Sequence, residues 1–347
     1  MTPNHGDPDQ NTVRNDYLWD PRAPGDPEVE SLERALAPLR FERRRKPLAL
    51  PPAPGRVLWR QRAFAIAATV ALVAMGAAAF WQWRQSWPAG RAWPLAVREA
   101  TGTDARRTLA LDQPVAFGPQ SSARAQIARI GEMIIEPASN VTLIETSSTR
   151  HRVALERGAV HVRVWAPPGR FGIRTPGGTV VDLGCIFTLG VDANGLATAQ
   201  VQTGWVELYN AWGESLIPAG AIGTMKASSA PTVPVYADAA PAFTNSVRAF
   251  QLATDDAARL TLVDDIARAA RPRDVLTVLM LAKDSTPLVK RALLDRAAVL
   301  HPPPAGLTVD GVLVNRDRLW DWAGSLGLPP AKNWWLNWRD FFRRLDR

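Results

Sequence analysis

The 347-residue chain is poor in the residues that staple a fold, ligate metals or move protons: it has one cysteine, four histidines and three tyrosines. A lone Cys185 excludes an intrachain disulfide framework and a cysteine zinc cluster. His5, His151, His161 and His301 are scattered, and no pair has the His-x-x-x-His spacing of a helical metal site. No metal and no other cofactor is expected. Nucleophile-elbow, His-Glu-x-x-His, phosphate-loop and paired-carboxylate motifs are all missing. So little acid–base material argues against an enzyme. The formal charge of +8 is concentrated in one place, Arg43, Arg44, Arg45, Lys46, Arg56, Arg60 and Arg62, with no acid among them. Elsewhere the signs are mixed, unlike the basic stripe of a nucleic-acid binder, so no direct nucleic-acid partner is expected.

The dense basic stretch precedes the run AFAIAATVALVAMGAAAFW, Ala63 to Trp81, which lacks charge and is flanked by Trp59, Trp83 and Trp87. As a helix it would extend roughly 28 Å, near the ~30 Å of a bilayer's hydrocarbon layer. A transmembrane helix over 63–83 is therefore expected. The basic residues before it outnumber Arg84, Arg91 and Arg98 after it, which puts the N-terminus in the cytoplasm.

In the N-terminal segment, Asp26 is suited to cap a helix, Pro27 to its first position and Glu28 to its positive end. Val29, Leu32, Leu36 and Leu39 fall on one face. So short a helix is marginal alone. Its apolar stripe, preceded by Tyr17, Leu18 and Trp19, fits a partner's groove, with Trp19, Val29, Leu32 and Leu36 as contacts. The other reading is a solvated tether.

From Leu95 to Met225 the pattern becomes short alternating runs, as in Val160–Trp165 and Val201–Leu208. They are separated by turn signals at Arg157-Gly158, Pro167–Gly169, Pro176–Gly178, Ala193–Gly195, Thr203-Gly204 and Pro218–Gly220. Such spacing implies an all-β sandwich, barrel or solenoid, and nothing local separates the three.

Beyond a Ser/Ala/Pro-rich linker the period turns helical: Asn245–Ala270, Arg273–Lys283, Pro287–Leu300, Arg316–Leu326 and Trp334–Leu345. Trp320, Trp322, Trp334, Trp335 and Trp338 crowd the last helices; a helical core explains them better than a binding surface.

Several pieces of the β region together resemble the FecR-type domain of bacterial membrane signal transducers. They are Leu155–Gly158 and the following strand, Phe-x-Ile-x-Thr-Pro at Phe171–Pro176, Leu-Gly-x-x-Phe at Leu183–Phe187, Thr-Gly-x-Val-Glu at Thr203–Glu207, and Leu-x-x-Ala-Gly at Leu216–Gly220. The resemblance implies a β-helix-like periplasmic domain in a membrane-anchored regulator of an extracytoplasmic-function sigma factor. It places the protein in the bacterial inner membrane, C-terminus periplasmic, with the N-terminal segment holding the sigma factor. A periplasmic or outer-membrane signalling partner would complete the pathway. Many members of the family carry Gly-Thr where this chain has Gly184-Cys185, and some cleave themselves there. A Cys185 thiol would attack the Gly184 carbonyl in an N-to-S acyl shift; the plainer reading is a small packed residue. The zinc-type anti-sigma motif is absent from residues 1–62.

The expected organisation is a multidomain membrane protein: 1–62 cytoplasmic segment, 63–83 transmembrane helix, 95–226 β domain, 227–243 linker, and 244–347 all-α C-terminal region. The alternative function is an envelope adaptor that binds partners through its β and helical domains.

Overall fold

The computed structural model describes residues 26–39, 56–85, 87–99, 104–315 and 317–327. Two compact units are present, divided between Leu72 and Val73.

In the first unit, helix α1 (Pro27–Leu36) starts as its sequence dictates. The Asp26 carboxylate accepts the Glu28 backbone N–H at 3.0 Å, and Pro27 takes the first turn. A 3-10 turn, Ala37–Leu39, closes it around Pro38. Leu32 and Leu36 are exposed. Helix α2 (Arg56–Gln85) begins in this unit and crosses the division.

The expected transmembrane helix is corrected. Among the described residues no helix is long and apolar enough to cross a membrane. Many of the residues of α2 between Phe64 and Phe80 are alanine, whose single methyl carries little apolar area. The single-pass architecture falls with the span.

In the second unit the strands are β1 (Trp93–Arg98), β2 (Asp104–Leu109), β3 (Pro114–Ala116), β4 (Ser122–Ile127), β5 (Gly131–Ile135), β6 (Asn140–Thr146), β7 (His151–Val164) and β8 (Phe171–Thr175). They continue with β9 (Gly178–Asp182), β10 (Ile186–Val191), β11 (Ala197–Thr203), β12 (Trp205–Asn210), β13 (Gly213–Pro218), β14 (Ala221–Met225) and β15 (Val235–Tyr236). Alternation decides which side chains turn inward: Val160, Val162 and Val164 are buried while His161, Arg163 and Trp165 are exposed.

Strand β7 joins two ladders. Its second half pairs with β5 and β10, its first half with β6 and, in parallel, β8. One ladder runs β2-β1-β4-β5-β7-β10-β11-β14-β15, the other β3-β6-β7-β8-β9-β12-β13. Leu95, Phe187 and Leu189 from the first share one core with Phe171, Ile173 and Ile217 from the second. The expected Arg157-Gly158 turn is instead the bend inside β7. Gly158 has φ +91°, and a Cβ there would strike Ser139.

The β-helix expectation is corrected too. A solenoid stacks parallel coils, whereas among the described strands only the β7–β8 pairing is parallel. The result is an open, largely antiparallel sheet folded over its own core.

Helices α3 (Pro241–Leu252), α4 (Asp256–Ala269), α5 (Val275–Lys283), α6 (Pro287–Leu300), α7 (Val309–Val314) and α8 (Arg318–Gly324) follow. The expected helix Asn245–Ala270 is two, because the Asp255 carboxylate caps a new start by accepting from Ala258 N at 2.8 Å. Helix α7 had no strong period to announce it. The expected helix Trp334–Leu345, with Trp334, Trp335 and Trp338, lies outside the described residues. Trp322 is fully buried, and Trp320 packs against the same core. That core joins α3–α8 to the outward side chains Val181 of β9, Trp205 of β12 and Leu216 of β13, and to Leu183 just past β9. Strands β9 and β12 are thus buried on both faces.

Candidate functional site

Gly184 and Cys185 lie in the corner between β9 and β10. The chain leaves β9 at Asp182 and reverses through Gly184, whose φ of +85° lies in the region glycine tolerates. The Asp182 carboxylate organises the corner. Its Oδ2 accepts Gly184 N–H at 3.1 Å, and its Oδ1 accepts Cys185 N–H at 3.0 Å and the Cys185 thiol at 2.6 Å. Across the corner, Gly204 (φ +74°) comes so close that a Cβ there would meet the Gly184 carbonyl oxygen.

Asp182 and Cys185 are both buried. Burial pushes the Asp182 carboxyl up to about 7, against the lowering effect of the hydrogen bonds from Cys185 and Gly184. Burial, followed by the Asp182 charge, pushes the Cys185 thiol well above its ordinary value. The resting corner therefore holds a protonated thiol beside a carboxyl poised near neutrality. The arrangement contains a nucleophile and a base in contact, as an acyl shift at Gly184 requires. It also withholds the thiolate that such an attack consumes. Sequence reasoning singled out Gly184 and Cys185 but missed Asp182. The signal was available: an Asp two and three residues ahead of backbone N–H groups at a strand end is a local turn former.

A polar network lies deeper in the same sheet. Trp93 Nε1 donates to Thr146 Oγ1 at 3.1 Å, and that hydroxyl meets His151 Nδ1 at 2.9 Å. Burial, then Arg152 and Arg170, lower the His151 pKa to about 4. Arg152 donates to the carbonyls of His151, Arg170 and Gly169. Gly169 N–H in turn donates to the Asp182 carbonyl at 2.8 Å.

The expected partner contacts are in the first unit. Leu32 and Leu36 stand exposed and Val29 is half-buried on α1. Trp19 lies outside the described residues. Among the described residues no group of three or more His, Cys, Asp or Glu could hold a metal ion.

No protein-family model and no curated protein matches the chain. It is similar to two solved structures from Parabacteroides distasonis ATCC 8503, each provisionally named an anti-sigma factor. One has 14% identity and a TM-score of 0.31, the match covering 45% of this chain and 75% of that one. The other has 16% identity and a TM-score of 0.24, covering 52% of this chain and 72% of that one. Both identities and both superpositions are too low to carry a family, a role or a partner for this chain. The FecR-type family itself is not matched.

Proposed function

We propose that this chain is a regulator of the FecR type that holds an extracytoplasmic-function sigma factor through its N-terminal segment. The observation that carries the reading is α1. It is a capped, self-starting helix that keeps Leu32 63% and Leu36 52% exposed on one side. An isolated helix of this length gains little from its own hydrogen bonds, so an apolar stripe on it is most useful when covered by a partner. Its sequence context, together with the FecR-like pieces from Leu155 to Gly220, names the kind of partner. The β-rich second unit would then be the part that receives the signal, and no chemistry beyond binding is assigned to it.

The test uses the full-length tagged chain in its native host. A sigma factor should co-purify with the wild type and be lost on Leu32→Asp/Leu36→Asp, the double variant keeping the yield and melting temperature of the parent. A sigma factor retained equally by the variant removes α1 from the interface. Capture of none by either protein removes the regulator reading.

A further inference from the structure

The second unit contains a cleft of about 460 Å³ between the end of β13 and helices α3, α4, α5 and α8. Its volume lies within the roughly 300–1,000 Å³ usual for small-molecule sites. Leu216, Phe250 and Met280 give it apolar walls, and two cations line it, Arg259 and Lys283, together with the carboxylates of Glu214 and Asp284.

Both cations are held in unusual settings. Arg259 donates from Nη2 to the Ala253 carbonyl at 3.0 Å, and its guanidinium carbon is 5.8 Å from the Phe250 ring centre. The Lys283 side chain is only 10% exposed, and its ammonium meets the Asp284 carboxylate at 3.5 Å. At the rim stands Trp212, 65% exposed. Its indole N–H donates to the Ala227 carbonyl at 2.8 Å, and its backbone N–H to Asn210 Oδ1 at 2.9 Å. The ring is therefore fixed while open to solvent, at little further entropic cost to binding.

We propose that this cleft binds a small organic monocarboxylate with a flat apolar body, the carboxylate received by Arg259 and Lys283 and the body by Trp212. A guanidinium and an ammonium lining one cleft both donate to a carboxylate, the guanidinium through a planar fork that matches its two oxygens. Glu214 and Asp284 line the same walls, which disfavours a multiply charged anion such as a phosphate. The proposal is independent of the sigma-factor reading, since its residues and its assay involve no protein partner.

The test is isothermal titration calorimetry of the purified full-length chain with N-acetyl-L-phenylalanine and, in parallel, its carboxamide, which has the same body without the charge. The acid should saturate and the amide should bind at least about tenfold more weakly, the scale of a lost charged hydrogen bond. Arg259→Gln should weaken the acid by a similar factor. Trp212→Ala, at an exposed position that the core does not need, should weaken acid and amide alike. Equal binding of acid and amide, or acid binding unchanged in both variants, overturns the proposal. So does the absence of any heat with millimolar acid.

Discussion

Asp182→Asn isolates the ionisation in the β9–β10 corner, because it keeps the side chain's size and removes its charge. The Asp182 carboxyl is fully buried and is pushed from 3.8 to about 7. At 1.36 kcal/mol per pH unit, ionising it in the folded chain costs roughly 4 kcal/mol more than in the unfolded chain. Between pH 3.8 and about 7 the folded state keeps a proton that the unfolded state has lost. Stability from this group is therefore complete at acid pH and declines as pH rises through the folded value. Asparagine does not titrate, but its amide nitrogen must face one of the N–H donors that now meet Asp182, at a cost of about 1 kcal/mol. The variant should thus be about 1 kcal/mol less stable than wild type at pH 4 and roughly 3 kcal/mol more stable at pH 8. Urea denaturation at the two pH values, followed by tryptophan fluorescence, measures both differences. His151 titrates identically in the two proteins and drops out. A difference between the proteins that is the same at pH 4 and pH 8 would refute the reasoning.

Other consequences are shorter to state. His151, lowered from 6.5 to about 4, makes the opposite contribution: stability is complete above the unfolded value and is lost as pH falls toward 4, by up to roughly 3 kcal/mol. Melting temperature against pH should show that acid limb in wild type and a flatter one in His151→Gln. Gly158→Ala forces a Cβ onto Ser139 at a positive φ and should lower stability by about 2–4 kcal/mol by thermal denaturation; a loss under about 0.5 kcal/mol would mean that the bend in β7 is not constrained. Because the Cys185 thiol is held protonated, the chain should run as one full-length band in cells, unchanged by Cys185→Ala. Two fragments meeting at Gly184-Cys185, lost in Cys185→Ala, would instead establish the acyl shift.

The sequence made local structure readable where each residue's role is settled by its neighbours. Val160–Trp165 alternates and lies in a strand up to Val164; Pro176-Gly177 and Ala193-Asn194 are turns; Pro287–Leu300 is a helix to the residue. It misled where the deciding contact is distant. Arg157-Gly158 has the composition of a turn, but β7 runs through it because Gly158 must pass Ser139. The choice between solenoid and antiparallel sheet depends on which strands pair, and alternation is the same in both. The hydrophobic run in α2 had the composition of a span, yet length and apolarity together did not suffice among the described residues. At the corner, Cys185 drew attention as a nucleophile. Asp182 did not, because a carboxylate at a strand end reads as a solvated turn residue until its burial is known.

Val180-Val181-Asp182-Leu183 shows how the missed features belong together. Val180 faces the sheet core while Val181 and Leu183 face the helices. A strand covered on both sides reads as an unbroken apolar run, and here the one interruption is the carboxyl that holds Gly184 and Cys185. The helices that cover β9 and β12 also form the far wall of the cleft at β13, through Phe250 and Met280. Asp182, two residues after Val180 and paired with Val206, turns with both toward the sheet core, where Cys185 also packs. The helices therefore cover the face of β9 opposite the carboxyl. Loosening their packing, for example with Leu279→Ala at a fully buried position, should lower total stability by about 2–5 kcal/mol and leave the Asp182 pKa raised. Denaturation reads the first effect and titration of the Asp182 carboxyl by NMR the second. A fall of the Asp182 pKa toward its ordinary value in the variant would show that the helices, and not the sheet core, keep the carboxyl dry.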